Sequence, residues 1–235
     1  MDDRFIRTEM IFGQDAMDQL RSKHIAIFGI GGVGGYVVEA LVRSGVEHIT
    51  IIDNDVVSIS NINRQIIATE DTIGQPKVEV MKKRILSINK NVEVNDKQMF
   101  VTSDNIKELD FKSFDYIVDA IDTVKSKIEL VKIAYELDIP IISSMGTGNK
   151  INPMGFAVSD INKTEMDPLA KVMRRELRNI GIKKLKVVYS KEEPIKPNID
   201  IEENGRHIPG SNAFVPAAAG LLIASEVIKD LTKNN

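Results

Sequence analysis

A chain of 235 residues, 43% hydrophobic and 28% charged, is long enough to bury a sizeable core, and α/β sequences of this length commonly form one domain, so residues 1–235 are read as one. A net charge of −3 advertises neither a nucleic-acid nor a membrane partner, and any polyanion must be met by a local cluster of cations. With no cysteine, the chain builds no disulfide and no zinc site of paired Cys motifs, and it has no thiol to carry an activated substrate.

The first residues carry the acids Asp2 and Asp3 and no apolar signal core, and the longest apolar stretch, 213–224, is too short to cross a bilayer. These features predict a cytoplasmic protein without a membrane segment. Apolar strand-like runs follow at 25–28, 48–52, 92–99, 116–119 and 139–143, alternating with helical patterns. That alternation predicts an α/β fold of the Rossmann-like, doubly wound kind, with a mostly parallel sheet. A helix over 35–44 is stopped by Gly45. A second, over 76–87, interleaves Val78, Val80, Met81 and Ile85 with Lys82, Lys83 and Arg84, and has Lys77 in its first turn.

After Ser144 the pattern changes. Residues 146–149 read as a flexible loop, 156–161 as another strand, and Asp167-Pro168 as an N-cap followed by proline at the first position of a helix running to about Ile180. The stretch 191–212, rich in Glu, Lys, Pro, Asn and Gly, is predicted to be a mobile crossing loop. The last segment, 212–231, is an apolar helix whose Ala217, Ala218, Ala219 and Gly220 permit close packing on the sheet or on a second subunit, as part of a C-terminal extension that completes the sheet.

The most informative feature is the glycine fingerprint Gly29-Ile30-Gly31-Gly32-Val33-Gly34, entered from the apolar run 25–28. A strand, a glycine turn and a helix bring unpaired amides and the positive end of the helix dipole to a phosphate, and glycine permits the close approach. Asp53, at the end of the next strand, stands where an acid hydrogen-bonds a ribose hydroxyl. Those two features alone fit an NAD site. Asn61, Arg64 and Lys77 shift the reading to ATP, because Arg64 supplies a planar fork for phosphate oxygens and Lys77 a compact charge for a leaving pyrophosphate. Taken singly, each also fits a bland role: Asn61 in a turn, Arg64 beside a surface acid, Lys77 solvated on its helix.

The segments Gly29-Ile-Gly-Gly-Val-Gly, Asp53-Asn-Asp-x-Val, Ser60-Asn61-x-Asn-Arg64-Gln65, Gly74-Gln-Pro-Lys77 and Asp119-Ala-Ile-Asp122 resemble, in order and spacing, the E1-like, ThiF-type superfamily over nearly the whole chain. The resemblance implies adenylation of a carboxylate with ATP and Mg²⁺: the glycines Gly29, Gly31, Gly32 and Gly34 and Asp53, Asn61, Arg64 and Lys77 around the nucleotide, and Asp122 near the metal. Asp119 is given a structural role, although either carboxylate also fits as a cap of the helix that follows, 123–135. The resemblance further implies a homodimer in which Arg7 of each chain reaches the other's site.

Within that superfamily, Ile141-Ile-Ser-Ser-Met-Gly146, Asp160-Ile-Asn-Lys-Thr164 with Asp167-Pro-Leu-Ala-Lys171, and Ser211-Asn-Ala-Phe-Val-Pro216 are similar to the tRNA threonylcarbamoyladenosine dehydratases. That branch cyclises the hypermodified adenosine beside the anticodon of tRNA. The alternative is adenylation of the C-terminal glycine of a ubiquitin-like sulfur carrier, and sulfur-transfer proteins are candidate partners. A monovalent cation near Gly146 is left open. The run Lys171, Arg174, Arg175, Arg178, Lys183 and Lys184 fits both phosphate contacts along tRNA and a solvated helix face. His207 fits a substrate contact or a plain surface residue, and no histidine is given a catalytic role.

Overall fold

The computed structural model describes residues 3–203 and 206–232. Two short helices open the chain, α1 (Ile6–Phe12) and α2 (Gln14–Ser22). The alternation then runs β1 (His24–Phe28), α3 (Gly34–Arg43), β2 (His48–Ile52), α4 (Lys77–Ile88), β3 (Glu93–Lys97), β4 (Tyr116–Asp119), α5 (Val124–Glu136) and β5 (Ile141–Ser144). It ends with β6 (Phe156–Asp160), α6 (Pro168–Asn179), β7 (Lys186–Ser190), a ribbon of β8 (Glu202–Glu203) and β9 (Arg206–His207), and α7 (Val215–Leu231).

Seven strands form one sheet in the order β3-β2-β1-β4-β5-β7-β6, parallel except for the antiparallel β6–β7 pair at one edge. This is the doubly wound sheet expected, completed by the late β7–β6 extension. Side chains of β1 alternate between its faces. Ile25 and Ile27 join α3 residues Val37, Val38 and Leu41 and α7 residues Ile223 and Val227 in one core, while Ala26 and Phe28 face Phe111, Phe114 and Leu130 in another. A third core, with Met173, Leu177 and Val187, fastens α6 to β7.

Three features depart from the sequence reading. β7 follows directly on the basic run and is not among the expected strands, yet Val187, Val188 and Tyr189 are buried. The 191–212 stretch carries the short β8–β9 ribbon, and its residues 204–205 lie outside the described residues. The terminal helix begins three residues later than expected, after a turn in which Asn212 Oδ1 accepts the Val215 amide at 2.9 Å.

Helix α7 crosses α3 at very close range. A Cβ on Gly220 would lie 2.5 Å from the carbonyl oxygen of Val33, so only glycine lets the two backbones meet. That contact seats the N-terminus of α3, the end that faces the site. At the opposite end of the sheet, Asp230 of α7 accepts from Tyr116 Oη and Lys186 Nζ, each at 2.8 Å, and Glu226 pairs with Lys186 at 2.8 Å. One helix is thereby tied to β4 and β7.

Candidate functional site

The chain builds β1, β2 and β3 outward in one direction and then returns to place β4 on the other side of β1. The crevice beyond the carboxyl ends of β1 and β4 is the topological switch point, where open α/β sheets bind ligands. A cavity of about 770 Å³ opens there. It is lined by Gly29, Gly31, Gly32, Asp53, Asn61, Arg64, Lys77 and Asp122, so eight of the residues singled out from the sequence share one space.

The glycines act in different ways. Gly29 has a φ of +88°, and a Cβ there would sit 2.6 Å from the Ala120 carbonyl oxygen, so it closes β1 against β4. Gly34 is packed still harder, with a Cβ position 1.8 Å from the Gly29 carbonyl oxygen, and it sets the turn without lining the cavity. At Gly31 the nearest atom to a Cβ is Gln65 Nε2 at 3.9 Å, and nothing in the protein demands glycine there. The space a side chain would fill belongs to the cavity. The amides of Gly31, Gly32 and Val33 donate to no group among the described residues. Unpaired donors at the N-terminus of α3 beside a cradle a Cβ would fill suit a phosphate. Gly31→Ala should therefore keep the melting temperature of the native protein and lose nucleotide binding; a variant that binds ATP normally would contradict this reading.

Asp53 holds the turn from below. Its Oδ2 accepts the Ile30 amide at 2.6 Å and its Oδ1 the Asp55 amide at 2.8 Å. Burial pushes its carboxyl above the ordinary value, against the opposing pull of Lys77 and those two amides. The remaining lone pairs face the cavity and suit hydroxyl donors.

The bland alternatives for Arg64 and Lys77 do not describe the fold. Lys77 is 5% exposed, at the first position of α4, and its Nζ lies 2.7 Å from Asp55 Oδ2 inside the cavity. Arg64 pairs with no carboxylate among the described residues. Its Nη1 donates to the Ser60 carbonyl at 2.7 Å and to Asn63 Oδ1 at 2.8 Å, and burial lowers its guanidinium from the usual value. Its stem lies against the glycine turn, with Cγ 3.5 Å from where a Gly32 Cβ would be. Asn61 combines both readings: its Oδ1 accepts the Ser58 amide at 3.0 Å in a capping box, and its side chain also lines the cavity. Three carboxylates, Asp53, Asp55 and Asp122, and two cations, Arg64 and Lys77, border this space.

Asp122 stands exposed at the mouth, its Oδ1 accepting from Thr123 Oγ1 at 3.2 Å, and neither it nor Asp119 caps α5. Asp119 is fully buried, accepting from Ser143 Oγ at 2.5 Å and pairing with Lys127 Nζ at 3.0 Å. Lys127, also fully buried, donates to the Ile121 carbonyl at 2.9 Å. This pair fixes the Ala120–Asp122 turn. Sequence reasoning missed Lys127, one lysine among several on α5, and nothing short of the tertiary contact distinguishes it. Gln65, buried and with its Oε1 unpaired, was also missed as a cavity wall.

Near Gly146 the positive charge belongs to the chain itself. Lys150 Nζ donates to the Gly146 carbonyl at 2.8 Å and pairs with Asp167 at 3.1 Å, and both charged side chains are buried. Asp167 also caps α6, as its position before Pro168 predicts. Arg7 is exposed on α1 and does not line the cavity. In the basic run, Lys171, Arg175, Arg178, Lys183 and Lys184 are exposed, none lining the cavity. Arg174 is half-buried, and its Nη1 donates to the Thr164 carbonyl at 2.8 Å and to Thr164 Oγ1, so that it braces the loop before α6. His207, exposed, pairs with Asp200 at 2.8 Å away from the cavity.

A Rossmann-like sheet with a phosphate cradle at its switch point, flanked by a buried lysine and an arginine fork, defines a nucleotide-binding protein built for more than a nicotinamide cofactor. The chain belongs to the ThiF family, whose signature matches residues 4–235. It is 43% identical over 242 residues to the tRNA threonylcarbamoyladenosine dehydratase of Bacillus subtilis, covering 98% of this chain and 95% of that one. Its fold superposes on the crystal structure of the Escherichia coli tRNA N6-threonylcarbamoyladenosine dehydratase in complex with ATP with a TM-score of 0.89 and 34% identity, covering 97% of this chain and 93% of that one. The sulfur carrier protein ThiS adenylyltransferase of Bacillus subtilis is 33% identical over 153 residues, covering 63% of this chain and 45% of that enzyme. Among the described residues no helix is long and apolar enough to cross a membrane, and no three His, Cys, Asp or Glu side chains are grouped to hold a metal.

Proposed function

We propose that this protein is an ATP-dependent dehydratase of N6-threonylcarbamoyladenosine in tRNA, working in the cytoplasm as a single-domain homodimer. The observation that carries the ATP half is the cradle at Gly31, whose free amides and missing Cβ suit a phosphate, with Arg64 and Lys77 converging on the same cavity. The likeness to the two dehydratases over nearly the full length of both chains supports the tRNA half.

In this reading a threonyl carboxylate oxygen attacks the α-phosphorus, and the bond to pyrophosphate breaks with its electron pair leaving on pyrophosphate. Arg64 and Lys77 meet the charge that develops there, Asp53 orients the ribose, and the amides of Gly31 to Val33 hold the phosphates. The carbamoyl oxygen of the same nucleoside then attacks the activated carbonyl and closes a five-membered ring, and a carbamoyl nitrogen gives up its proton to solvent. AMP departs with the former carboxylate oxygen, so that the nucleoside has lost the elements of one water. Attack within one molecule requires no enzyme nucleophile, in keeping with a chain without cysteine.

The charges bordering the cavity do not neutralise a nucleoside triphosphate, which supports two additions. Asp122 would hold Mg²⁺, which would supply positive charge to offset that of the phosphates. Arg7 would come from the second subunit. The exposed cations Lys171, Arg175, Arg178, Lys183 and Lys184 would follow the tRNA backbone. Sulfur-transfer proteins would be partners outside the site.

The test is an inventory of nucleotide products after incubation with ATP, Mg²⁺ and either modified tRNA or a small carrier protein ending in Gly-Gly. Conversion of ATP to AMP and pyrophosphate with the tRNA alone is expected. Turnover with the carrier alone would move the assignment to carrier activation.

A further inference from the structure

Arg64 spends both hydrogens of Nη1 within its own loop, on the Ser60 carbonyl and on Asn63 Oδ1. A guanidinium carries five N–H groups, so Nε and Nη2 keep three for a ligand. Asn63 in turn reaches far along the chain. Its Nδ2 donates to the Ser211 carbonyl at 3.1 Å, at the end of the 191–212 stretch where it rejoins α7. The amide orientation is fixed by these partners, because a flipped Asn63 would set an NH₂ against a guanidinium and a carbonyl against a carbonyl.

Ser211 is itself a wall of the nucleotide cavity, and the residue before it is clasped from the other side. Gly210 donates its amide to Asn149 Oδ1 at 2.6 Å, and its carbonyl accepts the Asn149 amide at 2.8 Å. Asn149 also accepts the Ile195 amide at 2.8 Å, so one asparagine gathers both ends of the crossing stretch. It holds a φ of 57°, and at neighbouring Gly148 a Cβ would lie 2.7 Å from Pro209. The strand-end loop, the crossing stretch and Arg64 thus meet through Asn63.

We propose that Asn63 is a positioning residue that couples the phosphate-binding fork of Arg64 to the closing end of the crossing stretch, so that ATP in the cavity tightens the 207–212 segment and a substrate held by that segment aligns Arg64. This rests on the reading of Arg64 as a phosphate ligand. By linkage, the two effects are equal in free energy.

The experiment is hydrogen exchange read by mass spectrometry on the full-length protein, with and without saturating ATP and Mg²⁺, alongside the dissociation constant for ATP. In the native protein ATP should slow exchange in peptides covering 149 and 207–212 by about 5-fold or more, the lower end of ordinary coupling. Asn63→Asp keeps the acceptor for Arg64 and loses the donor to Ser211, so at saturating ATP its peptides should exchange as if no nucleotide were bound. Asn63→Ala should lose both the slowing and part of the ATP affinity. Equal slowing in native and Asn63→Asp proteins overturns the coupling, as does a native protein that binds ATP without any slowing. A native protein that does not bind ATP defeats the underlying site assignment instead.

Discussion

Replacing Arg64 by alanine is expected to slow ATP-dependent turnover by about 10²–10³-fold, the usual cost of removing one preorganised donor from a developing oxyanion. The fork is aimed before any ligand arrives: two of its N–H groups are fixed by Ser60 and Asn63, and its stem rests on Gly32. Most of the loss should fall on kcat, because charge on the departing pyrophosphate grows toward the transition state. Lys77→Ala should cost a comparable factor, with a larger share in ATP affinity, since its ammonium already lies inside the cavity beside Asp55. Steady-state rates at saturating tRNA check both. An Arg64→Ala protein within about 3-fold of native activity would remove Arg64 from the account, given that a lost donor should cost far more. The same variant probes the dimer. Mixing Arg7→Ala chains with Arg64→Ala chains should restore part of the activity, because some mixed dimers keep one intact site. No recovery, with exchange of subunits demonstrated, would count against the borrowed arginine.

The second large effect concerns stability. Lys127→Met leaves the Asp119 carboxylate fully buried beside Ser143 with no countercharge, and breaking such a pair typically costs about 3–5 kcal/mol. For a chain of this size that corresponds to a fall in melting temperature of about 6–20 °C. The double variant Asp119→Leu with Lys127→Met should recover much of the loss, since apolar replacement of a whole buried pair is often neutral. It should still impair turnover, because the Lys127 bond to the Ile121 carbonyl that holds the Ala120–Asp122 turn would be gone. A single Lys127→Met variant melting within about 2 °C of native would show that water or a rearranged neighbour compensates the charge.

Much of this arrangement is legible in the chain itself. β2 and β4 have the bounds that their apolar runs give, and Asp167-Pro168 starts α6 where the cap signal lies, because these depend on local chemistry. The nucleotide cavity is legible for a related reason. Its glycines, Asp53, Asn61, Arg64 and Lys77 sit at strand ends and helix starts, and backbone geometry brings such positions together whatever the rest of the fold does.

What escapes the sequence is decided by tertiary contact. β7 is short and stands among lysines, so its burial depends on α6 and β6 covering it. α1 and α2 carry no side-chain cap, and Gly13 merely separates them. Arg174 has the composition of a phosphate ligand and the neighbours of a loop brace. Lys127 and Lys150 look like solvated lysines until the acids they meet, Asp119 and Asp167, are seen beside them.

The proposed reaction removes one water from a modified adenosine at the expense of ATP. It is tested most directly by incubating the purified protein with ATP, Mg²⁺ and tRNA bearing threonylcarbamoyladenosine, digesting the tRNA gently, and weighing the nucleoside. The expected result is a mass lower by one water, dependent on ATP and absent with the Arg64→Ala protein. An unchanged nucleoside, from protein that demonstrably binds ATP, would contradict the account.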